Sequence, residues 1–214
     1  GSVGKSRKEM TAKYLPQVVI FEPDSNQLDI VIHVSNFFHR NGGIWTELEL
    51  GTEQQILKKR NRTIAIDLFI IGGLFIMALY HFGLFLLRRS DRSPLYFGII
   101  CLLWALNSVV TGEIISTIFL PWIDFGLLLR VEYLSLYLSI PVFSFMLITL
   151  YPNEFHRRVL HITTLFFAFV TLIILGTPET LFTNIATPTH IYMIVFGFYA
   201  IYVDRFEDAL EIMT

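Results

Sequence analysis

The sequence predicts a mainly α protein, a polytopic helical membrane bundle preceded by part of an all-β domain. Of its 214 residues, 54% are hydrophobic and only 16% are charged, whereas a soluble domain has about 25% charged residues. Nine of the sixteen lysines and arginines lie in residues 1–63, and long apolar runs follow them. This distribution argues against a soluble enzyme and a disordered chain, and it indicates an integral membrane protein.

Charge and cysteine content exclude several classes of function. The net charge of −2 gives no reason to expect nucleic-acid binding, and Cys101 is the only cysteine, so no disulfide framework forms within the chain. The six histidines show no metal-binding spacing, and no catalytic triad, phosphate-binding glycine loop or paired-carboxylate motif is present. We therefore expect no metal, no cofactor and no enzymatic activity in this chain.

Residues 1–52 are predicted to form β structure. Apolar and polar residues alternate through Leu28–Ser35, Asn41–Gly43 has the composition of a tight turn, and Ile44–Leu50 alternates again. A shorter candidate strand is Gln17–Phe21. Three strands bury too little apolar surface to be stable alone, so we interpret residues 1–52 as the C-terminal part of a larger β domain.

The remainder divides into a juxtamembrane helix (53–63), a transmembrane helical domain (64–203) and an exit helix (204–214). Thr52 and Gln55 have the spacing of a capping box at the start of the first helix. The third apolar stretch is predicted to extend back through Arg130, and the fifth is marginal unless Ala186–His190 joins it. The five apolar stretches are Ile64–Leu87, Leu95–Gly112, Tyr133–Tyr151, Val159–Leu175 and Ile191–Val203, and a helix of about 20 residues spans a bilayer.

The distribution of arginine predicts the orientation. The loops after the first and third stretches contain Arg88, Arg89, Arg92, Arg157 and Arg158, whereas the alternate loops contain no lysine or arginine. By the positive-inside rule the arginine loops are cytoplasmic and the β segment lies outside, in a multi-pass protein of the inner membrane. The basic residues of 58–62 run against the rule, and we interpret them as a solvated juxtamembrane face.

Short motifs along the chain resemble one receptor family in their order and spacing, over roughly residues 1–203. The family is the bacterial seven-transmembrane receptors with diverse intracellular signalling modules. In the β segment the motifs are Ser35-Asn36-Phe37, His39-Arg40, Gly42-Gly43-Ile44-Trp45 and Leu50-Gly51. In the spans they are Met77-Ala78-Leu79-Tyr80-His81, Leu87-Arg88-Arg89, Ser93-Pro94-Leu95-Tyr96-Phe97-Gly98, Thr111-Gly112-Glu113 and Glu132-Tyr133-Leu134-Ser135.

The resemblance implies a sensor with an extracellular jelly-roll domain and a cytoplasmic output. That output would be a histidine kinase, a diguanylate or nucleotide cyclase, or a phosphatase. The sequence departs from the family pattern because it has five apolar stretches where seven are expected, lacks the earlier strands and has no output domain. We therefore expect two spans to be missing between Val203 and Asp204.

Two groups of polar residues are candidate sites. Asn36, His39, Arg40 and Trp45 resemble a sugar-binding loop, although the same residues suit a structural turn with Trp45 packed beneath it. The second group couples the outer domain to the spans or, alternatively, consists of hydrated interfacial charges. It contains Arg130 with Glu113 as its expected partner, and Glu132 on a different helix face.

Single polar residues within the spans have a simpler interpretation. We expect His81 and Asn107 to form hydrogen bonds between helices, and Cys101 to be an inert small hydrophobe.

The sequence therefore predicts a receptor that passes a ligand signal across the membrane. Its expected partners are membrane lipid, a small-molecule or carbohydrate ligand, a cytoplasmic signalling domain and a second copy paired through Phe206–Met213. The alternatives are a transporter or channel and a non-switching envelope scaffold. The spans are mostly apolar at mid-depth, with Pro141 the only proline well inside one, which argues against a transport path.

The predicted orientation is open to direct chemical labelling. A cysteine introduced at Ser90 lies in the arginine-rich loop after the first span, so it should resist an impermeant thiol reagent added to intact cells. Labelling of that cysteine would overturn the orientation.

Overall fold

The computed structural model describes residues 2–12, 18–22, 28–42, 47–112 and 122–213, with side chains as far as Tyr202. Five of its helices are long and apolar enough to cross a membrane, the last of them running from Glu179 to Tyr202. The chain is therefore a multi-pass membrane protein. The elements are α1 (Glu53–Leu87), α2 (Ser93–Thr111), α3 (Phe125–Leu150), α4 (Arg157–Gly176), the short α5 (Glu179–Phe182), a 3-10 turn (Thr183–Ile185) and α6 (Ala186–Met213).

Helix α1 begins at the predicted capping box. The Gln55 N–H donates to the Thr52 hydroxyl (3.4 Å), and the Thr52 N–H donates to the Gln55 side-chain oxygen (3.1 Å). These bonds satisfy two of the N–H groups that a helix start leaves unpaired, so the prediction is confirmed. The predicted juxtamembrane helix is continuous with the first span, and α1 is 35 residues long.

Consecutive spans pack against each other, α1 on α2, α2 on α3 and α3 on α4. Helix α6 packs on α3 and α4 through aromatic side chains, including Tyr192, which stacks on Phe166 at 4.5 Å between ring centroids. We call the end of the bundle formed by the start of α3, the end of α4, α5 and the start of α6 the Arg130 end. The opposite end, with the loop 88–92, is the Arg88 end.

Two apolar clusters hold α3, α4 and α6 together. Nearer the Arg130 end, Tyr137 of α3 packs with Phe167 and Ile174 of α4 and with Phe182 of α5, all of them fully buried. Nearer the Arg88 end, a second cluster joins α3 to α6 and to the 151–156 loop. Its buried members are Leu147, Phe155, Phe196 and Ala200. In lipid such close packing, and not the hydrophobic effect, drives helix association.

The two isolated polar residues of the first spans behave differently. Asn107 of α2 donates from its amide to the Glu132 carbonyl (3.0 Å) and the Ser135 hydroxyl (3.1 Å) of α3, which confirms the predicted bond between helices. His81 instead uses its Nδ1 atom on the Met77 carbonyl of its own helix (2.8 Å), while its ring contacts Phe97 of α2. The prediction for His81 was wrong because a carbonyl one turn earlier is within reach of the ring.

The structure does not contain the strands predicted for the described part of residues 1–52. Residues 18–22, 28–42 and 47–50 contain no strand, and among the described residues the only β pairing is an antiparallel bridge between Ser2 and Thr11. The alternating apolar side chains of 28–34 stay exposed, with Ile30 at 59% and Val34 at 53%. A strand needs a neighbour for its backbone hydrogen bonds and a layer to cover its apolar face, and the described residues place no such layer over this segment.

Helix α6 corrects a second prediction. It includes Ala186–His190, as expected for the fifth span, and it continues without a break across Val203 and Asp204. The two residues follow each other within one helix, so the hypothesis of two spans missing between them is wrong. Pairing of two copies through Phe206–Met213 stays a prediction, since those side chains lie outside the described part.

The α1–α2 contact depends on Gly98, and this dependence can be tested. A Cβ atom at Gly98 would lie 2.6 Å from the Phe82 ring and 3.2 Å from the Ala78 carbonyl oxygen, whereas one at Gly73 would meet nothing within 4 Å. Gly98→Ala should lower the free energy of unfolding by about 1–3 kcal/mol, measured by thermal unfolding in detergent. The matched change Gly73→Ala should cost nothing, and equal effects of both would contradict the packing described.

Candidate functional site

The N-terminal segment contacts the bundle at the Arg130 end through residues 38–40. The Arg40 N–H donates to the Thr183 hydroxyl (3.2 Å), and the Arg40 guanidinium donates to the Thr187 hydroxyl at the start of α6. His39 Nε2 lies 3.3 Å from the Tyr133 hydroxyl of α3, and the Phe38 ring meets the Phe125 ring edge to face. Residues 38–40 thus contact α3, the 3-10 turn and α6.

Asn36 shapes the backbone that presents these residues. Its side-chain oxygen accepts the N–H groups of His39 (3.1 Å) and Phe38 (3.3 Å), the pattern by which asparagine stabilises a turn. Gly42 lies so close that a Cβ atom there would be 2.7 Å from the Asn36 amide. The predicted interpretation of Asn36 as a turn residue agrees with this geometry.

His39 is partly buried at this contact. Burial lowers the pKa of its imidazole below the usual 6.5, and the nearby Arg40 charge acts in the same direction against the hydrogen bond to the Asn41 backbone. The neutral ring is therefore the favoured form near neutral pH.

A single carboxylate, that of Glu179, joins three parts of the chain. Its Oε2 is 2.9 Å from Nη2 of Arg7 in the N-terminal segment, and its Oε1 is 3.2 Å from Nη2 of Arg130 in α3. The Glu179 side chain is only 12% exposed. Gly126 makes room for this side chain, because a Cβ atom at position 126 would lie 2.5 Å from the Glu179 Oε1 atom.

Arg130 also reaches the end of α4. Its guanidinium donates to the carbonyl of Ile174, one of the last carbonyls of that helix, and lies 5.2 Å from the centre of the Phe182 ring. The last four carbonyls of a helix have no partner within it, and a cation is favoured at that end. Arg130 therefore connects α3 with both α4 and α5.

The sequence predicts Arg130 as a coupling residue, but it does not predict Glu179 as its partner. Glu113, the expected partner, lies outside the described residues, and Glu179 is 49 positions away from Arg130 in the chain. The available signal was that Glu179 is the only charged residue in the loop 176–190.

A cavity of about 370 Å³ lies between the N-terminal segment and helices α3 and α6. Three of the four predicted ligand residues line it, and so does one of the predicted coupling residues. The polar lining comprises Ser35, Asn36, His39, Arg40, Asn41, Glu132, Tyr133, Tyr137 and His190. The structure thus brings residues of the predicted ligand loop together with Glu132 of the predicted coupling group. Trp45, the fourth predicted ligand residue, lies outside the described part.

Two polar groups of the cavity lack partners among the described residues. Tyr137 is fully buried, and its hydroxyl has no hydrogen-bond partner at bonding distance among the described residues. The Glu132 carboxylate forms no ion pair within the described chain, although the Glu132 backbone carbonyl is bonded to Asn107 and Ser135. Buried polar groups are nearly always hydrogen-bonded, so the Tyr137 hydroxyl makes this cavity a candidate site.

The fold is that of a multi-pass membrane domain, built of spanning helices with a polar contact to a segment before them. Residues 63–205 match the family described as 7TM diverse intracellular signalling, and the chain belongs to that family. The resemblance found in the short motifs is therefore confirmed. No curated protein and no solved structure matches the chain.

The Arg130–Glu179 pair should be energetically coupled. Both side chains are mostly shielded from solvent, at 24% and 12% exposure, so removing either leaves a poorly solvated charge. In a double-mutant cycle of Arg130→Ala and Glu179→Ala, thermal unfolding in detergent should give a coupling energy of about 0.5–3 kcal/mol.

Glu132→Gln provides the comparison for this cycle. Combined with Arg130→Ala it should be additive, because Glu132 faces the cavity and not Arg130's ion pair. A coupling near zero for Arg130 with Glu179, or a larger one with Glu132, would show that the pairing is wrong.

Proposed function

We propose that this chain is the membrane part of an inner-membrane sensory receptor. In this proposal a ligand outside the membrane alters the N-terminal segment, and the change reaches a cytoplasmic kinase, cyclase or phosphatase module through α6. Membership of the 7TM diverse intracellular signalling family supports a signalling role. The observation that carries the proposal is the Glu179 carboxylate, which binds Arg7 of the N-terminal segment and Arg130 of α3 together.

The arginine loops support the orientation. The Arg88 end would be cytoplasmic, and the N-terminal segment, with its contacts at the Arg130 end, would lie outside. The exposed alternating side chains of residues 28–34 have the pattern of a sheet face. We infer that they pack in a fuller extracellular β domain of jelly-roll type.

The distribution of charge favours a receptor over a transporter. In the part of the spans that the structure describes, Arg130, Glu132 and Glu179 lie at one end, and Asp67 is in contact range of Gly112 at the end of α2. The buried hydroxyls of Ser139 and Ser144 in α3 donate to carbonyls of their own helix. A transport path needs polar groups facing a cavity through the membrane centre. We propose accordingly that the chain neither transports nor catalyses.

Transmission would work by a shift between two packings of the helices. A ligand can move such an equilibrium only by binding the two states with different affinity. The Arg7–Glu179–Arg130 contact supplies the connection, because a displacement of the N-terminal segment changes the ion pair of α3 and α5 at once. Helix shifts of this kind are about 1–2 Å in known switches.

The proposal can be tested by measuring the Arg88 end while the Arg130 end is changed. Nitroxide labels at Ser90→Cys and Ile201→Cys, in a Cys101→Ala background, report the distance between the 88–92 loop and α6 by pulsed electron resonance. Arg7→Gln should alter that distance by about 1–2 Å or change its distribution, because it releases Glu179 on one side. The protein is studied in nanodiscs with all other residues unchanged.

Lys59→Gln is the matched control. Lys59 forms an ion pair with Glu49, but both side chains are largely exposed and belong to no contact with the bundle interior. It should leave the distance unchanged. An unaltered distance in Arg7→Gln would refute transmission through this contact.

A further inference from the structure

The cavity at the Arg130 end carries groups of both charge signs. Glu132 projects from α3 and Arg40 from the N-terminal segment, and both line the same space. They form no ion pair with each other. A cavity lined by an unpaired carboxylate and by a guanidinium is suited to a ligand that carries both a cation and an anion.

The Glu132 side is suited to an ammonium group. The carboxylate has no cation beside it in the described chain, and the Tyr133 and Tyr137 rings line the same wall. A carboxylate accepts hydrogen bonds from an ammonium group, and an aromatic face attracts it through the ring quadrupole.

The Arg40 side is suited to a carboxylate. A guanidinium has five N–H donors, of which the bond to Thr187 uses one. Arg40 lines the cavity together with Tyr133, Tyr137 and His190. The buried Tyr137 hydroxyl, which has no partner among the described residues, is a further donor for the same carboxylate.

We propose that this cavity binds a small zwitterion, a free α-amino acid with an apolar side chain. The inference rests on the proposed receptor function and names the class of its ligand. Leu129, Leu136 and Phe125 complete the lining and would receive the side chain. The volume of about 370 Å³ lies near the lower limit of small-molecule sites, which begin at about 300 Å³.

The position of the cavity links binding to the helices. Its walls belong to the N-terminal segment, to α3 and to the start of α6. A ligand that bridges Glu132 and Arg40 would draw the segment toward α3, and it would do so beside the Arg7–Glu179–Arg130 contact.

Three molecules of matched shape test the two charge requirements. L-phenylalanine has both charges, N-acetyl-L-phenylalanine lacks the cation, and L-phenylalaninamide lacks the anion. Calorimetric titration of the whole chain in nanodiscs should show binding of L-phenylalanine, and each derivative should bind about tenfold more weakly or worse. Equal binding of all three, or no binding of L-phenylalanine, would overturn the proposal.

A variant assigns the cation site. Glu132→Gln should weaken L-phenylalanine binding about tenfold and remove its advantage over the N-acetyl derivative. Glu53→Gln, at an exposed carboxylate outside the cavity, should leave both affinities unchanged. Unaltered discrimination in Glu132→Gln would place the ligand elsewhere and overturn the assignment.

The two proposals can fail separately. If Arg7→Gln shifts the distance between Ser90→Cys and Ile201→Cys but L-phenylalanine does not bind, only the ligand class is wrong. If L-phenylalanine binds through Glu132 and the distance never responds to Arg7→Gln or to ligand, the site stands and transmission is refuted.

Discussion

One carboxylate surrounded by two guanidinium groups determines the arrangement at the Arg130 end. Glu179 is the first residue of α5, and its side chain is only 12% exposed, so an unpaired charge there would be costly. Satisfying it requires Arg7 and Arg130 to approach from different parts of the chain. The close approach of Gly126 and the contact of Arg130 with Phe182 follow from that requirement.

The same requirement organises the cavity. Because Arg130 is occupied by Glu179 and by the Ile174 carbonyl, Glu132 two residues later has no arginine of its own helix to pair with. It faces another side of α3 and lines the space under the N-terminal segment. The acid that looks redundant beside Arg130 in the sequence therefore serves a different surface.

Periodicity and local chemistry were sufficient for much of the fold. The spans, the capping box at Thr52, the joining of Ala186–His190 to the last helix and the Asn107 bond all depend on residues near in sequence or on composition. The Arg130–Glu179 pair was not accessible, since 49 residues separate its members and only packing brings them together. The prediction for His81 failed for the opposite reason, because the Met77 carbonyl of its own helix competed with a partner on another helix. The strand prediction failed because alternation of apolar and polar residues shows which face of a strand would be covered. It does not show whether a covering layer is present.

Helix α1 gives the N-terminal segment a second point of attachment. Its 35 residues are about 52 Å long at 1.5 Å per residue, against a hydrocarbon core of about 30 Å, so about four turns extend beyond the lipid. One attachment is thus the part of α1 that extends beyond the lipid, and the other is the group of contacts around Glu179. A body held at two separated points cannot swing freely and can only rotate about the line that joins them. Motion of the segment would therefore reach the bundle as a torque, and it would tilt α1 and displace α5 in the same movement.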